Sequence, residues 1–130
     1  MVAAGTYTLI AAAEDVKANR PVTVKLIRPE VLARCGTTDV ARLLRLFTRE
    51  ARTTASLGSP HTIQVYDFGI TREGSFYYVM ELLDGVDLQS LVERFGIQPS
   101  ARVVHLLVEA CHSLAEAHEG SFVHRDIKPA

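Results

Sequence analysis

One lysine and one glutamate stand out because their surroundings would allow them to pair. Lys25 interrupts the apolar, strand-like segment PVTVKLI, where an unpaired ammonium group is costly to bury. Glu50 follows Leu43 and Phe47 at helical spacing, so it lies on or beside the apolar stripe of a predicted helix. The two charges could therefore meet between a sheet and a helix. Taken singly, Lys25 is better explained as a snorkelling edge residue, and Glu50 as part of a solvated helix face.

The elements that must position these two residues follow from hydrophobic periodicity and turn signals. A polar turn over residues 14–20 separates two strand-like segments and predicts a hairpin. An antiparallel sheet with one helix packed on it is the simplest arrangement of the first half, and the second half is helical and looks unfinished. In chain order we predict strands over 8–13 and 21–27, a helix from an N-cap at Thr38 to Leu57, strands over 62–70 and 75–83, a short helix after residue 87, and a long helix from an N-cap at Ser100 to about Gly120.

The composition excludes several classes of protein. The chain has 130 residues, 48% of them hydrophobic, and its 14 Lys and Arg nearly balance its 15 Asp and Glu. This balance gives no electrostatic reason to expect nucleic acid or an anionic membrane as a partner. Cys35 and Cys111 fit no zinc or disulfide framework, which favours a reducing, cytoplasmic compartment. The sequence predicts no signal peptide and no membrane-spanning segment.

The string FVHRDIKPA, Phe122 to Ala130, resembles the catalytic loop of eukaryotic-type protein kinases. Upstream segments agree in order and approximate spacing: VTVK resembles the strand with the ATP lysine, FTREA the helix with its glutamate partner, and YYVMELLDGVDL the gatekeeper and hinge. SPHTIQVYDFG is similar to the next strand of bacterial serine/threonine kinases. The resemblance implies an α+β kinase N-lobe over residues 1–83 and the first helices of a C-lobe over residues 84–130. The chain would then be an N-terminal kinase fragment that ends within the catalytic loop.

The same resemblance implies a site for ATP. Lys25, held by Glu50, corresponds to the lysine that contacts the α- and β-phosphates. Gly5 is the one glycine retained of three in the phosphate-covering loop, because Ala3 and Thr8 occupy the other two positions. Glycine suits such a loop because it tolerates positive φ and lets backbone N–H groups approach phosphate.

The adenine ring is expected beside the gatekeeper, Met80. By resemblance, the carbonyl of Glu81 and the N–H of Leu83 would contact its edge, and Ile10 and Val24 would line an apolar slot.

Asp87, Asp126 and Lys128 complete the residues that the resemblance assigns. Asp87 corresponds to a residue that often meets the ribose hydroxyls, but a helix N-cap before Leu88 explains it equally well. Asp126 would accept the proton of a protein serine or threonine hydroxyl, and Lys128 would steady the γ-phosphate. His124 is expected to pack the loop.

Asp67-Phe68-Gly69 spells the tripeptide that holds magnesium in protein kinases. In the kinase pattern that tripeptide lies downstream of the catalytic loop, whereas here it lies upstream of both the hinge and Asp126. We therefore predict that Asp67 is a strand-end residue, that Phe68 is a packing residue, and that neither binds metal.

Magnesium is expected for a complete domain, but the resemblance places its ligands after Ala130. We therefore expect no appreciable kinase activity from this chain alone. The long helix would also leave Leu107, Cys111 and Leu114 partly exposed, which predicts marginal solubility or association through that face. An alternative hypothesis is a non-catalytic, degenerate kinase lobe that binds a nucleotide or a partner. The altered glycine loop favours this alternative, and the intact set of Lys25, Glu50 and Asp126 disfavours it.

Overall fold

A computed structural model describes the backbone of residues 3–4 and 7–129, and the side chains from Tyr7 onward. Strands come first and helices dominate the second half, in agreement with the predicted α+β class. The elements are β1 (Ala3–Ala4), β2 (Thr8–Asp15), β3 (Arg20–Ile27), α1 (Pro29–Arg34), α2 (Thr37–Ser56), β4 (Val65–Ile70), β5 (Phe76–Glu81), α3 (Leu88–Phe95) and α4 (Ser100–Glu119).

The strands form one antiparallel sheet in the order β1-β2-β3-β5-β4. The predicted hairpin is confirmed as β2 and β3, which pair along their whole length. Its turn is stabilised by Asp15, whose Oδ1 accepts hydrogen bonds from the N–H groups of Lys17 and Ala18 at 3.1 Å. Asn19 closes the turn in the left-handed region, with φ of 49°, which asparagine tolerates better than most residues.

Helix α2 packs against the sheet and closes its core. Its apolar residues recur at helical spacing, and Ala51 is completely buried where the helix meets the sheet. Partly buried side chains of Leu43, Leu44 and Phe47 pack around the same cluster. The buried residues of that cluster are Ile27, Ala51, Phe76, Tyr78 and Met80.

The Asp-Phe-Gly tripeptide belongs to β4. Asp67 is exposed and lies inside the strand at a β-bulge, so its prediction as a strand-end residue is wrong by position. Its Oδ1 accepts the N–H of the next residue at 2.8 Å, while Phe68 packs on the core as predicted. Gly69 lies opposite Tyr77, and a Cβ there would be only 3.1 Å from the Tyr77 hydroxyl oxygen. Close approach of a tyrosine ring therefore explains this glycine.

Two predicted helix caps are misplaced. Helix α2 already begins at Thr37, so Thr38 lies in its first turn. Helix α4 begins at Ser100, and its N-cap is Pro99, which provides no side-chain hydrogen bond. Proline fixes its own φ and suits the start of a helix, so the helix can begin there without a capping side chain.

The chain divides into two compact units, which we describe separately. The first contains the described residues up to Ser56 together with Ile63–Leu82, and the second contains Leu57–Thr62 and the residues from Leu83 onward. In the second unit, Glu116 of α4 accepts the N–H groups of Gly58 and Ser59 at 2.7 and 2.9 Å. Among the helices of the described residues, none combines the length and apolar character needed to cross a bilayer.

Candidate active site

The predicted ion pair between Lys25 and Glu50 is present in the sheet unit. The Nζ atom of Lys25 on β3 lies 3.0 Å from Oε1 of Glu50 on α2. The lysine side chain is 21% exposed and the glutamate side chain 44% exposed, so the pair is half-buried at the edge of the core. The ammonium group has three N–H donors, and the contact with Glu50 occupies one of them, which leaves donors for an anionic ligand.

A third residue, Tyr78, completes this cluster and was not predicted from the sequence. Its hydroxyl group donates to the same Oε1 atom of Glu50 at 2.9 Å. Tyr78 is the direct cross-strand partner of Lys25, so their side chains lie on the same face of the sheet. The Lys25 ammonium also lies 5.4 Å from the centre of the Tyr78 ring. A signal was available in the alternation of β5, which places Tyr78 on the same side as the gatekeeper position, Met80.

The protonation states of the cluster follow from its burial and its contacts. Burial by itself would lower the pKa of Lys25, but interactions with Tyr78 and Glu50 outweigh it and raise that pKa above its ordinary value. Burial raises the pKa of Tyr78 to about 12. At neutral pH the lysine is therefore charged and the phenol is a neutral hydrogen-bond donor.

The residues predicted to line the adenine slot do not all lie on one face of the sheet. Ile10 pairs with Lys25 and packs on the core, so it shares the face of the cluster. Met80 is buried in that core at 8% exposure. Val24 points to the opposite face because side chains alternate along a strand, so its prediction is wrong. Thr23, buried and paired with Met80, occupies the face that Val24 was expected to use.

Glu81 and Leu83, the predicted hinge contacts, differ in how they are held. The N–H of Glu81 donates to the carbonyl of Gln64 at 2.9 Å, and the Glu81 side chain accepts the N–H of Gln64 at 2.8 Å. These bonds fix the last residue of β5 to the segment before β4. Leu83 is exposed, and within residues 7–129 its N–H has no acceptor. Gly5, the glycine predicted to cover the phosphates, lies outside the described residues.

A depression of about 430 Å³ occurs at the closed end of the β2–β3 hairpin. Its lining includes none of Lys25, Glu50 and Met80, although Leu82 lies between the predicted hinge contacts Glu81 and Leu83. Its lining consists of Ala12, Ala13, Glu14, Asn19, Arg20, Pro21 and Leu82.

Asp87, in the helical unit, caps α3. Its two carboxylate oxygens accept the N–H and the hydroxyl of Ser90 at 2.7 and 2.8 Å. These hydrogen bonds lower the pKa of Asp87 below its ordinary value. The N-cap interpretation is thus confirmed, and the other role predicted for this carboxylate, a ribose contact, stays a prediction.

The segment after α4 has no regular secondary structure and carries Asp126 and Lys128. Lys128 Nζ donates to Asp126 Oδ2 at 3.0 Å, and both side chains are largely exposed. The Asp126 N–H donates to Nδ1 of His124 at 3.2 Å, and Arg125 between them adopts a left-handed φ of 63°. His124 is exposed, so the prediction that it packs the loop is wrong, and it holds the backbone by this hydrogen bond instead. The Gln89 N–H also donates to the carbonyl of Pro129 at 3.2 Å, which links this segment to the start of α3.

Helix α4 exposes an apolar surface. Of the residues predicted to lie there, Leu107 and Cys111 are exposed and Leu114 is half-buried. Other exposed apolar side chains of the same helix are Val103, Val104 and Val108.

Metal ligands were not predicted from the sequence. Within residues 7–129, no group of three or more His, Cys, Asp or Glu side chains is arranged to hold a metal ion. The donor set that is present, an ammonium group braced by a carboxylate and a phenol, suits an anion such as a phosphate.

Comparisons with known proteins bear on the family to which the chain belongs. The family model of the protein kinase domain matches residues 2–130. The chain is 38% identical over 121 residues to serine/threonine-protein kinase PknB of Mycobacterium leprae, an alignment that covers 91% of this chain and 18% of the relative. It is 33% identical over 117 residues to serine/threonine-protein kinase PknD of Mycobacterium tuberculosis, with 90% of this chain and 17% of that protein covered.

A solved structure gives the same result for the fold. The kinase domain of Mycobacterium tuberculosis PknI, solved with a single substitution, superposes with a TM-score of 0.78 and 25% sequence identity. This superposition covers 100% of the chain and 51% of the PknI chain. The chain thus spans less than a fifth of the length of its curated relatives and about half of a solved kinase domain. It is a member of the serine/threonine protein kinase family, with the α+β fold of a kinase N-lobe and the helices that follow it.

Proposed function

We propose that this chain binds ATP through Lys25 and contributes to the transfer of its γ-phosphoryl group to serine or threonine hydroxyls of a protein substrate. The observation that carries the proposal is the 3.0 Å contact between Lys25 and Glu50, two residues 25 positions apart in the sequence. The contact fixes an ammonium group at the edge of a core while leaving it accessible. A fixed cation with unused donors is suited to the α- and β-phosphates of a nucleotide.

We assign the adenine ring to the residues around Met80. Ile10 and Met80 supply apolar surface, and the exposed Leu83 offers a free backbone N–H donor within the described residues. The carbonyl of Glu81 would accept from the ring edge, and Asp87 would use its carboxylate toward the ribose. Gly5 would approach the phosphates through its backbone N–H.

Asp126 and Lys128 would carry the chemical step. The substrate hydroxyl oxygen forms a bond to the γ-phosphorus, the bond from that phosphorus to the bridging oxygen breaks, and ADP leaves. Asp126 orients the hydroxyl and accepts its proton. Lys128 would exchange its contact with Asp126 for the γ-phosphate, which its exposure permits. Bound magnesium would neutralise phosphate charge, and we assign none of its ligands to the described residues.

Isothermal calorimetry with MgATP tests the nucleotide proposal on residues 1–130. We expect measurable binding that Lys25→Met weakens at least tenfold. Lys17→Met, which removes an exposed lysine from the hairpin turn, is the matched control and should change nothing. Absence of binding by the unmodified chain, or equal binding by the Lys25→Met variant, would contradict the proposal.

We further propose that residues 1–130 bind nucleotide without transferring phosphate, because no magnesium ligand is assigned among them. Incubation with radioactive ATP and a generic serine/threonine substrate should give no incorporation above background. Robust incorporation that Asp126→Ala abolishes would overturn this second statement and leave nucleotide binding intact.

A non-catalytic nucleotide- or partner-binding module is the second candidate. Thr8 favours this candidate. It takes the place of a loop glycine, and it belongs to strand β2, where it pairs with Ile27 of β3. A stiff, β-branched residue in a strand is poorly suited to wrap phosphate. The exposed face of α4 would then be a partner surface, and association of the chain that Leu107→Glu abolishes would support it. In either case we place the protein in the cytoplasm, where ATP is available and free thiols such as Cys35 and Cys111 persist.

A further inference from the structure

We propose that Tyr78 is a positioning residue for the phosphate-binding lysine, acting through the carboxylate of Glu50. The inference rests on the proposed nucleotide-binding function and adds a residue to it. Tyr78 is not expected to touch the nucleotide. Its task is to hold the Glu50 carboxylate in the orientation that places the Lys25 ammonium.

The geometry gives one carboxylate oxygen two donors. Glu50 Oε1 accepts from Lys25 Nζ at 3.0 Å and from the Tyr78 hydroxyl at 2.9 Å. The two donors come from adjacent strands whose residues face each other directly in the β3–β5 register. The acceptor comes from α2, so the cluster joins a helix to two strands at one atom. Removing the hydroxyl would leave the Glu50 carboxylate attached to the sheet by the lysine alone.

Burial makes the Tyr78 contact durable. Tyr78 is 6% exposed, whereas the Glu50 side chain is 44% exposed. A half-exposed carboxylate can rotate toward water unless a buried group holds it. If the Glu50 carboxylate rotated away, the buried phenol of Tyr78 would lose its hydrogen bond, and this cost opposes the rotation. The raised pKa of Tyr78, about 12, keeps the phenol protonated and donating throughout the neutral range. Tyr78 is therefore the fixed member of the cluster, and Glu50 transmits its position to Lys25.

The neighbouring residue supplies a matched control. Tyr77 lies on the opposite face of β5, opposite Gly69, where its ring contacts that glycine instead of Glu50. Tyr78→Phe and Tyr77→Phe therefore remove the same oxygen atom from adjacent positions, one inside the cluster and one outside it.

The experiment compares the binding of MgATP with that of adenosine, which lacks phosphates. Tyr78→Phe should weaken MgATP binding about three- to tenfold, the loss expected for one buried hydrogen bond, and leave adenosine binding unchanged. Tyr77→Phe should leave the binding of both ligands unchanged.

A double-mutant test asks whether Tyr78 acts through Glu50. In the Glu50→Gln background, Tyr78→Phe should weaken MgATP binding by clearly less than in the unmodified chain, because the two residues act in series. A purely structural role for Tyr78 would weaken both ligands alike and show no dependence on Glu50.

The outcomes separate this inference from the proposed function. Loss of MgATP binding by Lys25→Met but not by Tyr78→Phe would overturn the inference and keep the function. No binding of MgATP by the unmodified chain would overturn both. If Tyr78→Phe proves unstable, 4-aminophenylalanine at position 78, which restores a donor at the same place, should recover MgATP affinity. Failure to recover it in a folded protein would also overturn the inference.

Discussion

Residues 7–129 contain two lysine–carboxylate ion pairs with the same separation and very different surroundings. Lys25 Nζ and Glu50 Oε1 lie 3.0 Å apart, although the two residues are 25 positions apart in the sequence. This pair lies at the edge of the core, and Tyr78 also donates to Glu50. Lys128 and Asp126 also meet at 3.0 Å, but they are two residues apart on a segment without regular structure. Their side chains are 63% and 72% exposed, against 21% and 44% for the first pair.

Equal distances therefore do not mean equal constraint. The first pair is fixed by a strand, a helix and a buried phenol, so breaking it leaves partly buried polar groups without partners. The second pair is surrounded by water, and pairs of this kind contribute little to stability. A rigid pair suits a group that must hold a ligand in one place. A loose pair suits groups that must exchange partners when a substrate arrives.

The largest effect is expected from shortening the isoleucine that lies close to each pair in the sequence. Ile27 lies two residues after Lys25 and is completely buried, whereas Ile127 lies between Asp126 and Lys128 and is 66% exposed. Ile27→Ala should lower the free energy of unfolding by about 2–5 kcal/mol, because it leaves a cavity in the core. Ile127→Ala should change it by less than about 0.5 kcal/mol. Urea unfolding followed by circular dichroism measures both, and similar losses would mean that the two regions are equally constrained.

Removal of each carboxylate is the second test. Glu50→Ala should cost about 1–3 kcal/mol, because the hydroxyl of Tyr78 and part of the Lys25 ammonium lose their acceptor. Asp126→Ala should have an effect within about 0.5 kcal/mol, since its partner stays hydrated. The same unfolding assay applies. An equal cost at both positions would contradict the contrast between the two pairs.

High pH tests the Tyr78 contact by itself. The pKa of Tyr78 is raised to about 12 in the folded chain, whereas an unperturbed phenol titrates near 10. Because the folded pKa is the higher one, the stability contributed by the phenol is complete below about pH 10 and is lost as pH rises toward 12. The free energy of unfolding should fall by up to about 1.4 kcal/mol per pH unit in this window. Lys25, whose pKa is also raised, adds a loss of the same sign.

The matched phenylalanine variants make this pH test specific. Tyr78→Phe should flatten the alkaline decline measured by urea unfolding between about pH 9 and 12, and Tyr77→Phe should leave it as it is. An unchanged slope in Tyr78→Phe would show that the Tyr78 phenol titrates as it does in an unfolded chain.

The smallest effect is expected at the Asp-Phe-Gly tripeptide. Asp67 is exposed and its carboxylate accepts the N–H of the adjacent Phe68, so Asp67→Asn should leave both stability and MgATP affinity nearly unchanged. Calorimetry at several magnesium concentrations is the measurement. A magnesium-dependent loss of affinity in this variant would assign a metal role to Asp67 and reverse our interpretation of β4.

Sequence patterns predicted the local features of the molecule well. The β2–β3 hairpin and helix α2 follow from turn residues and periodicity. The pair of Lys25 and Glu50 follows from the cost of burying a lone charge together with the kinase resemblance. The order of these segments along the chain, combined with the resemblance of FVHRDIKPA, was enough to predict the family.

Features that depend on which strands are neighbours were not predicted. Tyr78 joins Lys25 only because β5 lies beside β3, although β4 separates them in sequence. Val24 was assigned to the wrong face of the sheet because side chains alternate along a strand, and a shift of one residue, from Thr23 to Val24, moves a side chain to the other face. The caps at Thr38 and Ser100 were misplaced because α2 already begins at Thr37 and the N-cap of α4 is Pro99, which makes no side-chain hydrogen bond.

The carboxylate of Glu116 has a consequence for the order in which the chain acquires its structure. It binds the N–H groups of Gly58 and Ser59, residues that leave the ribosome 58 and 57 positions earlier. These two amides therefore stay hydrated until most of α4 has been synthesised, and we expect the segment that bears them to be among the last to settle. This dependence requires rapid hydrogen exchange at both amides in a nascent chain stopped before residue 116, and slow exchange in residues 1–130.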